Sequence, residues 1–317
     1  MHVLVVGGAG YIGSHVTHEL CDQGYNVTVL DNLSTGFIEN VDNRADFIKH
    51  SFTNKNVIKK VLQDVECVIH LAALKAAGES MLDPIKYSKS NLINSIELIN
   101  SCIDNNVKNF IFSSSAAVYG FPQYFPIDEK HPLEPINYYG FTKLMIEKQL
   151  LWYNQLKGLN IACLRYFNAA GYDVKGRIKN KESNPQNLLP IVMEVAAGLR
   201  KKIDVFGNDY NTSDGTCLRD YIHVNDLAVG HIKAIEMLSN NGKIITNLAT
   251  GNSYSVLDVI NKSSQITNKE INYSIVDRRE GDPDKLFASS NNILNYSNRY
   301  SDLETIISSM WEVYKEF

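Results

Sequence analysis

A tyrosine and a lysine stand four residues apart in "YYGFTKLMIEK", at Tyr139 and Lys143. At i and i+4 on a helix both side chains leave the same face. A free phenol, with a pKa near ~10, is a poor base at neutral pH. An ammonium within a few ångströms favours the phenolate and lowers that value. The pair therefore reads as a general acid/base poised near neutrality. Taken alone, it reads more readily as a surface helix carrying an aromatic and a lysine. Just upstream, "FIFSSSAAVYG" ends an apolar run in Ser113, Ser114 and Ser115. Open α/β sheets build their sites at the carboxyl ends of strands. A serine there is a neutral donor and acceptor for a substrate hydroxyl and for the tyrosine. The next positions, Ala116 and Ala117, transfer no proton.

A second group of residues points to a dinucleotide. "VLVVGGAGYIGSH" spaces Gly7, Gly10 and Gly13 between an apolar run and a helical pattern. Gly7 permits a tight turn, Gly10 lets the backbone approach a pyrophosphate, and Gly13 lets the helix pack close to the sheet. The amides at the helix start and its positive dipole end would face the phosphates. Asp31, ending "VTVLD", lies about twenty residues past the motif, where a carboxylate hydrogen-bonds a ribose diol. It would repel a 2′-phosphate, which favours NAD over NADP. A positively charged nicotinamide would further favour the Tyr139 phenolate.

These residues need a scaffold. Strands are expected at 2–6, 26–31, 45–49, 67–71, 109–113 and 160–165. Helices are expected near 12–23, 54–63, 91–105 and 140–156. Runs such as "VLVV", "CVIHLA" and "FIF" do not alternate with polar residues. That suits strands buried on both faces of a parallel sheet. The alternation of β and α predicts a doubly wound α/β domain. After about Asn168 the pattern loosens into the polar, turn-rich "GYDVKGRIKNKESNPQNL", read as a connection to a second region of shorter elements. With 317 residues and 44% hydrophobic content, the chain can bury a sizeable core. Its net charge of −4 gives no reason to expect nucleic acid or acidic membranes as partners. The five cysteines are scattered without CxxC and read as small buried hydrophobes. The histidines form no metal motif. The start "MHVLVVGGAG" reads directly into a strand without a basic leader, so the expected location is the cytoplasm.

With these pieces in place the chain resembles the extended short-chain dehydrogenase/reductases, and within them the UDP-glucose (UDP-galactose) 4-epimerases. The likeness runs nearly end to end. It rests on "GGAGYIGSH", "LDNLSTG", "HLAALKAAGES", "NFIFSSSAAVYG", "YYGFTKLMIE", "LRYFNAAG", "NLLP", "VFGNDY", "GTCLRDYIHVNDLA" and "RREGD". The resemblance implies a Rossmann domain over 1–167 and a smaller α+β substrate-binding region over 168–317. Parts near 220–252 would return to the first domain. It implies a catalytic set of Ser115, Tyr139 and Lys143. NAD would be held by Gly7, Gly10, Tyr11, Ile12, Gly13, Asp31, Asn32, Ser34, Gly36, Leu71, Ala72, Lys75, Tyr139, Lys143 and Phe167, with Lys75 reaching the phosphates. A UDP-sugar would lie against Ser115, Tyr139, Asn168, Asn187, Leu188, Phe206, Arg219, Arg279 and Asp282. The arginines suit a diphosphate because the guanidinium fork matches its oxygens. A homodimer through a helix bundle is implied as well.

The implied reaction carries UDP-galactose to UDP-glucose through a transient 4-keto sugar. Tyr139 takes and returns the proton, and UDP stays anchored. Related dehydratases carry an Asp-Glu pair after the hydroxyl residue, where this chain has Ala116 and Ala117; that leaves the keto sugar no exit but return. Leu286, four residues after the "RREGD" aspartate, neither closes nor opens the pocket for an acetamide. An epimerase for N-acetylated sugars, or one of dual specificity, therefore stays open. A non-enzymatic NAD-binding regulator is the reading from another class, and it would not need Tyr139 and Lys143. The chain departs from the family at Ser51 and Phe52, where an Asp usually contacts adenine, and at Ser90, where an asparagine is usual.

Overall fold

The computed structural model describes residues 1–182, 185–279, 281–289 and 293–317. The first half alternates strands and helices in the order β1 (His2–Val6), α1 (Tyr11–Asp22), β2 (Asn26–Asp31), β3 (Asp46–Lys49), α2 (Lys55–Val61), β4 (Cys67–His70), α3 (Ala77–Leu82), α4 (Pro84–Tyr87), α5 (Asn94–Asp104), β5 (Asn109–Ser115), α6 (Tyr138–Lys157) and β6 (Asn160–Tyr166). There follow β7 (Asn168–Ala170), α7 (Leu188–Ala196), β8 (Ile203–Phe206), β9 (Leu218–His223), α8 (Val224–Leu238), β10 (Lys243–Leu248), β11 (Ser253–Ser255), α9 (Val256–Thr267), β12 (Tyr273–Val276), β13 (Lys285–Leu286) and α10 (Leu303–Tyr314).

Seven strands form one sheet in the order β10-β6-β5-β4-β1-β2-β3, and their pairings are parallel. The apolar runs explain why both faces must be covered. Along β1, Val3 and Val5 enter one core with Val16, Leu20, Leu227 and Ile232 of α1 and α8. Leu4 and Val6 enter the other with Ile58, Leu98, Ile146 and Leu150 of α2, α5 and α6. Each such side chain contributes about 1.5–3 kcal/mol relative to exposure. The expected doubly wound α/β architecture is the observed one.

Because the strands are parallel, their carboxyl ends share one edge. That edge carries the glycine loop after β1, Asp31 at the end of β2, the 71–76 loop after β4, Ser115 at the end of β5 and Phe167 after β6. A second region packs its own core from α7, α9 and α10, with Val192, Met193, Val259, Ile306 and Ile307 at its centre. There β7, β9, β11 and β13 form a small mixed sheet, and β8 pairs with β12. Between those segments the chain returns, giving α8 to the α1 side and β10 to the edge of the large sheet.

Element ends differ from expectation for physical reasons. Helix α6 starts at Tyr138 because the Asn137 side chain caps it, accepting from Gly140 N at 2.8 Å. The helix expected from 91 to 105 is regular only from Asn94. Residues Ser88–Ile93 form a wider, π-type turn, and the buried Asn91 side chain turns away to clamp Leu74. Helices α3 and α4 lie in a stretch to which no element was assigned, and Asp83 caps the second by accepting from Lys86 N at 3.0 Å. The five cysteines are buried with free thiols. No helix among the described residues is long and apolar enough to cross a membrane.

Candidate active site

The glycine loop is shaped by close approaches. Gly7 adopts φ +86°, and a Cβ there would meet Ala72 N at 2.7 Å. A Cβ on Gly13 would meet Gly8 Cα at 2.7 Å and the Gly7 carbonyl carbon at 2.9 Å. Gly36 is confined in the same way, its Cβ position falling 2.6 Å from the Ala9 backbone. Helix α1 begins at Gly10 with no side-chain cap, so its first-turn amides face outward with the positive end of the dipole. Asp31 braces the loop, its Oδ2 accepting from Ala9 N at 3.0 Å and its Oδ1 from Leu33 N at 2.8 Å. Asn32 accepts from Ser34 N at 3.0 Å in the following turn. Leu71 N and Ala72 N both donate to the Val6 carbonyl, holding the next loop against the first. An uncapped helix start beside glycines, with a carboxylate at the neighbouring strand end, is a donor and acceptor set that fits a dinucleotide.

Each of the three serines meets α6 differently. Ser115 Oγ accepts from Ala117 N at 3.2 Å, and its side chain lies near enough to the Tyr139 phenol to lower its pKa. Lys143 Nζ donates to the Ser113 carbonyl at 2.6 Å and lies 4.8 Å from the centre of the Phe112 ring. Ser114 Oγ donates to the Glu147 carboxylate. Gly140 permits the contact of α6 with the turn after β5, since a Cβ there would meet the Ala117 carbonyl carbon at 3.0 Å and Pro135 Cβ at 3.1 Å. The buried Ser80 hydroxyl accepts from Tyr139 N at 3.0 Å.

The electrostatics correct one expectation. The lysine was expected to pull the phenol down. Instead, burial raises the Tyr139 pKa above its ordinary value, and the Ser115 side chain works against that rise. Lys143 is itself held at about 7 by burial, with the Glu147 charge opposing the fall. Its Nζ stands 5.7 Å from the Tyr139 ring centre.

Phe167 is buried beside Tyr119, and Asn168 opens β7, donating to the Asp220 carbonyl at 2.9 Å. Arg219 on β9 pairs with Asp282 Oδ1 at 2.5 Å; burial presses its pKa down, and Asp282, Cys217 and Tyr221 together raise it overall. Arg279 lies over the Phe206 ring at 4.3 Å. Asp282 borders a cleft of about 390 Å³ that also includes Phe121, Tyr210 and Arg278. Leu286 sits opposite Arg219 in the β13–β9 register. Asn187 and Leu188 begin α7 on the second core. Lys75 ion-pairs with Glu182, and the Tyr11 hydroxyl donates to the Gly171 carbonyl at 2.5 Å. Ile12 packs against the first core. Phe52 packs edge-on to His70, while the Ser51 hydroxyl bonds that of Thr53. Ser80, Gly140 and Glu147 were not singled out from the sequence, and Asn91 stood out only as the neighbour of Ser90. Glu147 had a signal, since it continues the Tyr139–Lys143 face by one more helical step.

The family model described as NAD dependent epimerase/dehydratase matches residues 3–249. The chain is a member of that family. Within the epimerase/dehydratase family it is 42% identical over its whole length to a UDP-glucose 4-epimerase of Halalkalibacterium halodurans, covering 96% of that protein. It is 43% identical to the UDP-glucose 4-epimerase of Bacillus subtilis, over 91% of this chain and 88% of the other. The fold superposes on the UDP-glucose 4-epimerase of Brucella ovis solved in complex with NAD with a TM-score of 0.95, at 40% identity, covering 99% of this chain and 98% of that one.

Proposed function

We propose that the chain interconverts UDP-galactose and UDP-glucose by inverting the sugar at C4, with NAD as a bound cofactor. The observation that carries this reading is the Ser115–Tyr139–Lys143 set at the carboxyl end of β5, followed by two alanines that offer no second acid or base. It stands in a chain alike end to end to UDP-glucose 4-epimerases. NAD, when bound, supplies a hydride acceptor and donor. The first-turn amides of α1 would hold its phosphates, Asp31 a ribose diol, and Lys143 the nicotinamide ribose side of the site. Tyr139 takes the proton of the sugar 4-hydroxyl and returns it, a task for which Ser115 already stabilises the phenolate. Lys143 lies within reach of the ring but is tied to the Ser113 carbonyl, so it acts by charge and position. Arg219, Arg279 and Asp282 would anchor the UDP, so that binding energy far from C4 retains the sugar while its ring turns over.

In this reading residues 1–167, with α8 and β10, form the cofactor half and the rest of 168–317 the UDP-sugar half. The chain acts as a homodimer through the outer face of α5 and α6. Supporting this, Phe141, Trp152 and Leu156 share one face of α6, and Trp152 and Leu156 remain 58% and 65% exposed. Sedimentation equilibrium should return twice the 35.6 kDa chain mass. The function is tested by incubating the purified protein and NAD with UDP-galactose, resolving the products by NMR. A mixture of UDP-glucose and UDP-galactose is expected, and no UDP-glucose would refute the reading. A parallel incubation with UDP-GalNAc reports whether Leu286, beside Arg219, admits an acetamide.

A further inference from the structure

The buried polar network behind the three serines has no part in the chemistry described above, yet it joins the two elements that carry it. Glu147 lies on α6 one helical step beyond Lys143 and two beyond Tyr139. Its carboxylate accepts from Ser114 Oγ, from Arg165 Nε at 3.0 Å and from Arg165 Nη2 at 2.7 Å. Ser114 and Arg165 face each other in the β5–β6 register, and Asn247 faces Arg165 in the β6–β10 register. Arg165 Nη1 donates to the Tyr119 hydroxyl at 3.0 Å, and that hydroxyl donates to Asn247 Oδ1 at 2.6 Å. The Glu147 and Arg165 side chains are only 2% and 3% exposed.

So deep an ion pair is poor evidence for stability, because apolar residues of similar volume often do as well. The geometry supplies another role. Ser113, Ser114 and Ser115 each meet one residue of a single helix face: Lys143, Glu147 and Tyr139. The middle contact is the one charge-assisted bond of the three with a fixed, bidentate partner behind it. It pins α6 against the end of β5 between the two catalytic contacts. A slip of α6 along the strand would break it and would separate the Tyr139 phenol from the Ser115 hydroxyl.

We propose that Glu147, held by Arg165 and Ser114, is a positioning residue: it fixes the placement of α6 on β5 and thereby the alignment of Tyr139 with Ser115 and the seat of Lys143. This rests on the epimerase reading. Turnover by the unmodified protein tests that reading, and the variants test this inference alone.

The experiment compares Glu147→Gln and Ser114→Ala with the unmodified holoenzyme on UDP-galactose, with rates expressed per NAD-loaded chain. Glu147→Gln should lower kcat about 30-fold or more and Ser114→Ala about 3- to 10-fold, within the range a misplacement of the order of 1 Å produces. KM should stay within about twofold, because neither residue is placed against the UDP. With UDP-galactose deuterated at C4, the isotope effect on kcat should grow as chemistry becomes slower than the other steps. Wild-type kcat and isotope effect per loaded chain, with only a lower melting temperature, would overturn the inference. Ser114→Ala leaves the ion pair in place, so it decides the matter if Glu147→Gln does not fold.

Discussion

Replacing Gly140 by alanine should separate catalysis from stability. In an open helix this change gains about 1 kcal/mol of propensity. Gly140 is not open. Its methyl would meet the Ala117 carbonyl carbon at 3.0 Å and Pro135 Cβ at 3.1 Å, with the carbonyl oxygen closer still, where ordinary contact begins near 3.4 Å. Relief requires the first turn of α6 to withdraw from the turn after β5 by on the order of 1 Å, a displacement that costs about 100-fold in a well-aligned site. Tyr139 stands in that turn and Ser115 opens the other, so the loss falls on their alignment. Overpacking of this kind costs about 1–3 kcal/mol, of which propensity returns about 1. The melting temperature should therefore drop by less than about 8 °C at ~2–4 °C per kcal/mol, while kcat for UDP-galactose falls by about two orders of magnitude. Gly78→Ala, on α3 with nothing within 4 Å of its Cβ position, is the matched control and should leave kcat unchanged. The measurements are steady-state rates per NAD-loaded chain and calorimetric melting. A Gly140→Ala protein with full kcat would show that the close packing of α6 on Ala117 does not align the phenol.

Two further outcomes follow from the same geometry. Gly13→Ala places a methyl 2.7 Å from Gly8 Cα and 2.9 Å from the Gly7 carbonyl carbon. The purified protein should lose most of its NAD, read by absorbance of the acid extract, and melt several degrees lower at a cost of ~1–3 kcal/mol; full NAD occupancy would contradict the packing argument. In the cofactor-free protein Lys143 titrates at about 7, against an ordinary lysine value of 10.5 in the unfolded chain. Between those values unfolding takes up a proton at this site, so its contribution to stability grows as pH rises. Measured from pH 7 to about 8.5, where thiols begin to titrate, the melting temperature should climb more steeply in the cofactor-free protein than in Lys143→Met. Parallel curves would contradict the depressed value.

Much of this site was legible because its signals are local. The glycine spacing, the acid closing β2, the Tyr-x-x-x-Lys step and the unbroken apolar runs each need only neighbouring residues and the periods of helix and strand. What was not legible depends on closure of the sheet. Nothing near Glu147 in the chain announces Arg165, because only the parallel pairing of β5 with β6 brings Ser114 and Arg165 side by side. The direction of the Tyr139 shift was misjudged for the same reason. An ammonium lowers a neighbouring phenol when it keeps its charge, but here Lys143 is buried over Phe112 and loses much of that capacity. Asn91 illustrates the point on a smaller scale. Its side chain serves a loop brought close by the fold, and the helix it was expected to begin opens into a wider turn instead.

In the proposed reaction the Tyr139 hydroxyl is the group that moves the proton. Tyr139→Phe removes one oxygen and leaves the Ser80 contact to its backbone and the Lys143 seat in place. Single-turnover absorbance at the NADH band after mixing with UDP-galactose, with NMR of the nucleotide sugar, reads the step directly. NAD should stay bound, no NADH-like absorbance should develop, and turnover should fall by at least about 100-fold. A Tyr139→Phe protein that converts UDP-galactose to UDP-glucose at the unmodified rate would contradict that role.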